Sequence, residues 1–252
     1  MRKIPDDNLA YPVLIEMDNS IGSGFFLNDE NKIYLVSASH VLFNRDTGAL
    51  ISNIAKITSY PKEKADKEKN VFKLDLAKLL SKGHLKYDFS KDVVVLKIGD
   101  VDSETRLFNT LSEVEVMEIS TTGVVGVGID NTRTYQESLI ANDVFVFGYP
   151  VSLNLLQIPQ IDYSRPLLRH GIIAGKNDLT KTLVLDLPVY HGNSGGPVIE
   201  AEQEGLGFRY RVVGLITEFV PALARAKDRV EVNSGYSIAA SLDRVLELVE
   251  EV

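Results

Sequence analysis

The stretch His191-Gly192-Asn193-Ser194-Gly195-Gly196-Pro197 decides how this chain is interpreted. Glycines stand on both sides of its single serine. Because glycine lacks a Cβ, it lets the backbone turn tightly and brings amide N–H groups close to a reacting carbonyl. A serine in such a turn suits acyl transfer with a hydroxyl nucleophile, although a glycine-rich turn without any chemistry fits the same residues.

Two other stretches carry the partners that a serine nucleophile requires. Residues 35–42, Leu-Val-Ser-Ala-Ser-His-Val-Leu, form an apolar strand that leads through small residues to His40. Residues 91–98, Lys-Asp-Val-Val-Val-Leu-Lys-Ile, place Asp92 at the start of a β-branched run. A hydroxyl is a poor nucleophile at neutral pH, so it needs a base within hydrogen-bond reach and a group that orients the base.

In these three motifs, in the order His40, Asp92, Ser194, the chain resembles the trypsin-like (chymotrypsin-fold) serine peptidases in their bacterial form. The resemblance extends from about Gly22 to Leu248. It implies an all-β fold of two six-stranded antiparallel Greek-key β-barrels with a C-terminal α-helix.

The resemblance also predicts how the chain is divided. We expect an N-terminal barrel in residues 1–115, carrying His40 and Asp92, and a C-terminal barrel in residues 116–252, carrying Ser194 and the helix. Ser241 is the expected N-cap of that helix, because apolar residues at helical spacing follow it.

Two segments are expected to be mobile. The charged tip at residues 61–70 joins two strands of a projecting hairpin, and residues 151–166 lack a clear hydrophobic period.

The resemblance gives each site residue a role. Ser194 is the expected nucleophile, His40 the general base and then acid, and Asp92 the buried carboxylate that fixes the imidazole tautomer. The backbone N–H groups of Gly192 and Ser194 are the expected oxyanion hole.

Taken alone, these residues have ordinary structural interpretations as well. His40 fits a hydrogen-bonded core histidine, Asp92 fits a strand-start residue, and Asp88 or Asp100 are rivals for the carboxylate. We expect the remaining histidines to be structural or exposed; they are His84, His170 and His191. The histidines show no metal-ligand spacing, and we predict no metal and no cofactor.

Six residues are expected to bind substrate: Pro188, His191, Thr217, Glu218, Phe219 and Tyr236. Pro188 stands where the resemblance places the aspartate of trypsins, so we expect no dominant preference for Arg or Lys; small, apolar and acid-accepting pockets all stay open. Asn193 stands where zymogen-activated relatives carry an aspartate that binds a newly cut N-terminus, so we expect no such activation.

Composition bounds the remaining questions. The chain has 252 residues, 44% of them hydrophobic, a net charge of −8 and no cysteine. An acidic chain without a basic stripe argues against nucleic acid or an anionic membrane as partner. The absence of cysteine, and an N-terminus without an apolar signal region, lead us to expect a reducing, prokaryotic cytoplasm.

The function that we predict is a serine endopeptidase that hydrolyses peptide bonds through an acyl-enzyme intermediate and acts on peptides or proteins. Because such an activity is hazardous inside a cell, we expect it to be regulated by a loop or by a partner protein. The alternative is a catalytically weak or inactive module of the same fold that binds a partner protein.

Overall fold

The computed structural model describes residues 4–60, 69–105, 107–121, 123–149, 158–162, 165–223 and 231–252. Ten strands belong to an N-terminal sheet: β1 (Pro12–Met17), β2 (Ser20–Asp29), β3 (Lys32–Ser37), β4 (Ile54–Ser59), β5 (Asn70–Asp75), β6 (Leu85–Asp88), β7 (Val93–Val101), β8 (Phe108–Thr110), β9 (Val114–Glu118) and β10 (Val127–Gly128). Six strands form a C-terminal barrel: β11 (Asp143–Gly148), β12 (Leu167–Asn177), β13 (Thr182–Asp186), β14 (Pro197–Glu204), β15 (Gly207–Leu223) and β16 (Glu231–Ser241). The α-helices are α1 (Ser39–Leu42), α2 (Leu76–Ser81) and α3 (Asp243–Glu250), and single 3₁₀ turns cover Asp6–Leu9 and Ile129–Asn131.

The all-β fold class is confirmed, with a difference in the N-terminal half. The sheet follows the order β6-β7-β3-β2-β1-β4-β5-β9, with β8 on β7 and β10 on β2. It has ten strands where six were expected, because short strands pair with the edges and ends of the longer ones. All pairs are antiparallel except the two-residue β10–β2 pair.

The C-terminal half has the expected six antiparallel strands. They close into a barrel in the order β11-β12-β13-β16-β15-β14. Strands β15 and β16 form a long hairpin that extends beyond the barrel, to Leu223 pairing with Glu231. Glu218, Phe219 and Pro221 of β15 line one cavity with Ser194 of the serine loop.

The predicted boundary between residues 115 and 116 falls inside β9, which pairs with β5 of the N-terminal sheet. Strand β10 also pairs with that sheet, through Val127 and Leu27. The division into two domains at this position stays a prediction.

The C-terminal helix is present, but its expected N-cap is wrong. Ser241 still belongs to β16, where it pairs with Gly214, and the position before the helix is occupied by Leu242. Helix α3 packs against β7 and β6 of the N-terminal sheet and buries Val245, Leu248 and Val249.

The core explains why β7 has a continuous apolar run. Residues 93–96 of β7 are all buried, since the strand lies between β6 and β3 and is covered by α3. Each such valine or leucine contributes about 1.5–3 kcal/mol by leaving water. The same core includes Phe145 and Phe147 of β11, so apolar packing continues between the two halves of the chain.

Within the residues that the structure describes, no helix is long and apolar enough to cross a membrane. Much of the two segments expected to be mobile, namely residues 61–68, 151–157 and 163–164, lies outside the described residues.

Gly195 has no room for a side chain. Its φ is +84°, and a Cβ would overlap Ser23 O and Ser37 Oγ. We expect Gly195→Ala to lower the free energy of unfolding by about 2–5 kcal/mol, through left-handed strain and overpacking together. Gly205→Ala is the matched control, because Gly205 has φ +62° but open space around it, so ~1 kcal/mol of strain is the expected loss. Urea unfolding measures both, and equal losses would contradict the overlap.

Candidate active site

His40 lies in α1, the single helical turn that follows β3. The turn is closed by the Phe43 N–H, which donates to Ser39 O at 2.8 Å. Val41 and Leu42 are buried and anchor the turn. The imidazole is therefore held at the surface of the core, with about a quarter of its side chain exposed (23%).

Strand pairing brings Asp92 to this imidazole. Asp92 directly precedes β7, and β7 pairs with β3 so that Val94 lies opposite Ser37. His40 Nδ1 and Asp92 Oδ2 are 2.7 Å apart. The contact fixes Nδ1 as the protonated nitrogen when the ring is neutral, which leaves Nε2 with its lone pair free.

The other oxygen of Asp92 is also fully engaged. Asp92 Oδ1 accepts from Ser39 Oγ at 2.8 Å and from the His40 backbone N–H at 3.0 Å. Burial alone would raise the pKa of this carboxyl, but the hydrogen bonds and charge of His40 and the bond from Ser39 outweigh it, so the pKa lies below its usual value. Asp92 has φ +55°, an uncommon conformation that these contacts hold in place.

The two rival carboxylates lie elsewhere. Asp88 accepts from Ser90 and from Arg244 Nε, at 2.7 and 3.0 Å. Asp100 forms an ion pair with Lys97. Of the three candidates, Asp92 is the one that contacts His40.

The serine loop is fastened between the two halves of the chain. The carbonyl of Ser194 accepts from the Ser23 N–H of β2 at 2.8 Å, and the Gly195 N–H donates to Ile216 O of β15 at 2.7 Å. Ser23 Oγ also donates to Gly192 O at 2.6 Å. Ser194 is thereby held by one strand from each half.

His40 and Ser194 line the same cavity, which has a volume of about 490 Å³. Among the described residues, no hydrogen bond joins Ser194 Oγ to His40. Hydrogen bonds of this kind are commonly long without substrate and shorten in the complex. The structure thus places His40 and Ser194 at one opening, with Asp92 in contact with His40.

The loop also presents two free N–H groups. Gly192 has φ +91°, and neither its N–H nor that of Ser194 donates to an acceptor among the residues described. An oxyanion can be stabilised by such a pair of unused donors.

The sequence model of the trypsin-like peptidase domain matches residues 22–208. The chain belongs to the trypsin-like peptidase family. A comparison with curated protein sequences finds no match.

Solved structures of HtrA-type and related serine proteases are similar in fold to this chain. The serine endoprotease from Yersinia pestis has a TM-score of 0.53 and 17% sequence identity, and the match covers 96% of this chain and 62% of the Yersinia pestis chain. The structure of the HtrA-type protease AlgW with tripeptide has a TM-score of 0.54 and 16% sequence identity, and the match covers 96% of this chain and 60% of the AlgW chain. Deg5 has a TM-score of 0.52 and 19% sequence identity, and the match covers 96% of this chain and 88% of the Deg5 chain. The chain therefore spans less than two thirds of the first two proteins, and the likeness shows a chymotrypsin-like fold.

Four of the six expected substrate-binding residues of this trypsin-like domain line the cavity with Ser194. They are His191, Thr217, Glu218 and Phe219. The His191 and Phe219 rings meet edge to face at 5.8 Å. Pro188 and Tyr236 are not among the described residues that line it, and their role in binding stays a prediction.

Asn193 is fully buried, and neither polar atom of its side chain has a hydrogen-bond partner among the described residues. It lies against Gly148, where a Cβ would come within 2.8 Å of the amide nitrogen. The N-terminal residues 1–3 lie outside the described residues, so the expectation that the family member needs no N-terminal cleavage stays a prediction.

The remaining histidines of this peptidase-family chain lie in other surroundings. His170 bonds to Asp143 at 2.8 Å, and His84 lies 3.9 Å from Glu113. Within the described part of the chain, no three His, Asp or Glu side chains are grouped so that they could hold a metal ion.

Sequence reasoning missed Arg45. Its Nη2 lies 2.9 Å from Asp92 Oδ2 and 3.0 Å from His40 Nδ1. The only signal in the sequence is a cation five residues after His40, and no motif of the resemblance includes that position.

Proposed function

We propose that this chain is a serine endopeptidase whose nucleophile is Ser194. The observation that carries the proposal is the 2.7 Å contact of His40 with Asp92 in the wall of the cavity that Ser194 also lines. A neutral imidazole with Nδ1–H bound to a carboxylate presents a basic Nε2. That nitrogen is the atom required to take a proton from a serine hydroxyl.

The reaction follows from these roles. Ser194 Oγ attacks the peptide carbonyl carbon while its proton moves to His40 Nε2, and the carbonyl electrons move onto oxygen. The N–H groups of Gly192 and Ser194 stabilise that oxyanion. When the C–N bond breaks, His40 returns the proton to the leaving amine, which leaves an ester on Ser194. A water, deprotonated by His40, then hydrolyses the ester and regenerates the enzyme.

A fluorophosphonate probe tests the proposal, because it labels a serine only when a base activates the hydroxyl. We expect one mole of probe per mole of protein, on the tryptic peptide that contains Ser194. Prior heat denaturation is the control and abolishes labelling. If the folded protein stays unlabelled, the alternative holds: a weak or inactive module of this fold that acts with a partner protein.

The location and regulation of the enzyme are parts of the same proposal. The absence of cysteine supports action in a reducing, prokaryotic cytoplasm. Regulation by a loop or a partner protein is part of the proposal, because an unregulated endopeptidase would be hazardous inside a cell. Peptides or proteins are the proposed substrates.

Cleavage after Arg or Lys is expected not to dominate. Pro188 carries no charge, and the cavity beside Ser194 has apolar walls from Val189, Phe219 and Pro221. Digestion of a peptide library, followed by mass spectrometry of the new C-termini, measures the preference, with the Ser194→Ala variant as the blank. A profile with mainly Arg or Lys at the cut would contradict this expectation. If that profile then disappeared in Glu218→Gln, the exposed carboxylate of Glu218 would be its source.

A further inference from the structure

Arg45 is fixed beside the His40–Asp92 pair by a hydrogen-bonded turn. Asn44 Oδ1 accepts from the N–H groups of Asp46 and Thr47, at 2.9 and 3.0 Å. The Asn44 N–H in turn donates to Ala49 O at 2.9 Å. The turn follows α1 directly, so the backbone that carries Arg45 is tied to the backbone that carries His40.

The contacts of Arg45 compete with those of His40. Asp92 Oδ2 receives both the Arg45 Nη2 group and the His40 ring nitrogen, at 2.9 and 2.7 Å. A guanidinium has donors and no acceptor, and the one hydrogen on Nδ1 of the neutral ring is directed at Asp92. Arg45 Nη2, which lies 3.0 Å from His40 Nδ1, therefore places a positive charge beside the imidazole. This ring must itself become positively charged during the reaction.

We propose that Arg45 is a positioning residue that restrains the general base, by sharing Asp92 Oδ2 with His40 and by holding a positive charge against the imidazole. The inference rests on the proposed function of Ser194, His40 and Asp92. Its physical basis is that a neighbouring cation disfavours the imidazolium, while a carboxylate divided between two donors stabilises that imidazolium less.

Arg45 is placed so that the restraint can be lifted. Its side chain is 57% exposed, and it lines both the cavity of Ser194 and a second one of about 710 Å³ behind Asp92. Both contacts use Nη2, and the other guanidinium nitrogens have no hydrogen-bond partner among the described residues. A carboxylate on a substrate would bind these donors and draw the guanidinium away from Asp92.

The other ionisable groups around His40 come from the serine loop and β15. They are Tyr190, His191 and Glu218, which line the same cavity, and Lys91 lies beside Asp92 in the second cavity. Glu218 is the acidic one among them and lines both cavities, so Glu218→Gln must be measured together with the arginine variant. We expect Glu218→Gln to shift the pH dependence less than the removal of Arg45, because Glu218 forms no ion pair with His40 or Arg45 in the structure.

The test is the rate of fluorophosphonate labelling of Ser194 from pH 5 to 9 in the full chain. Without the neighbouring cation the ring keeps its proton to higher pH, so the midpoint of the profile moves upward in Arg45→Gln. The plateau rate rises about two- to threefold, because a more basic imidazole takes the proton more readily.

Two further variants separate charge from shape. Arg45→Lys keeps the positive charge and is expected to keep most of the wild-type midpoint. Arg209→Gln is the matched control, since Arg209 is 49% exposed, lies 2.9 Å from Glu204 and is outside the site; it should leave the profile unchanged. An Arg45→Gln profile with an unchanged midpoint, or with only a lower plateau, would overturn the proposal and leave Arg45 as a structural support.

A readout independent of activity keeps this result distinct from the proposed function. The chain has four histidines, so their ring NMR signals can be titrated in Ser194→Ala, with the His40 signals assigned by their loss in His40→Ala. The same upward shift on removal of Arg45 is expected there. If no variant is labelled, wild type included, the proposed function fails, and the titration alone decides whether Arg45 restrains His40.

Discussion

Ser194→Ala is expected to abolish peptide hydrolysis and fluorophosphonate labelling, with a loss of turnover on the order of 10⁶-fold. The change removes the oxygen atom that forms the ester in the proposed reaction. The fold should be unaffected, because Ser194 Oγ has no hydrogen bond to any residue that the structure describes, and the backbone contact of Ser194 with Ser23 remains.

Labelling kinetics, peptide hydrolysis and urea unfolding together check this prediction. Ser103→Ala is the matched control, since Ser103 is exposed in the turn after β7 and should keep full activity. Hydrolysis by Ser194→Ala at the wild-type rate would show that another group is the nucleophile. An unfolding midpoint well below that of wild type would mean that the hydroxyl also has a structural role.

Asp92→Asn is expected to lower turnover by about 10⁴-fold while the chain still folds. An asparagine amide in place of the carboxylate favours the imidazole tautomer whose Nε2 carries the hydrogen, so Nε2 can no longer accept the proton from Ser194. The bonds from Ser39 and from the His40 N–H can persist to the amide oxygen, which preserves the local backbone.

The control for this variant is Asp88→Asn. Asp88 bonds to Arg244 and Ser90, away from His40, so its replacement should leave turnover within a few-fold of wild type. The assignment of the carboxylate would be wrong if Asp88→Asn lowered turnover by about 10⁴-fold and Asp92→Asn left turnover unchanged.

Wild type and Asp92→Asn are also expected to differ in how their stability depends on pH. Because the folded pKa of Asp92 lies below its unfolded value, its ionised form favours the folded state at pH above about 4. That contribution is lost as the pH falls through the folded pKa. The difference in unfolding free energy between wild type and Asp92→Asn should therefore shrink as the pH is lowered below about 4. Urea unfolding between pH 2 and 7 measures it, and a difference that grows on acidification would contradict the hydrogen-bond pattern at this carboxylate.

The strands and the serine loop were predictable because their signals are local. Alternating and β-branched residues mark β3 and β7, and these are the strands that deliver His40 and Asp92. Gly195 needs a left-handed φ, which glycine adopts without a steric cost. The hairpin of β4 and β5 was predictable for the same reason. Short strands such as β8 and β10 were not, since two or three residues carry no usable period.

Apart from the resemblance, which selected Asp92, only the tertiary structure decided which groups meet. Three aspartates compete for His40 in the sequence, and only the pairing of β3 with β7 makes Asp92 the one in contact. Ser241 has the composition of a helix cap, yet pairing with Gly214 keeps it in β16. The position of Arg45 on Asp92 follows from a turn whose closing bonds are visible only in three dimensions.

The sequence by itself thus determined the fold class, the family and three residues with complementary chemistry, because glycine conformation and strand periodicity are properties of neighbouring residues. The tertiary structure decided the hydrogen-bond partners of Asp92, the residues that line the cavity, and the presence of a guanidinium beside the imidazole. These depend on strand register between segments about 50 residues apart, as for His40 and Asp92. A register set by long-range packing is not encoded in any single stretch of residues.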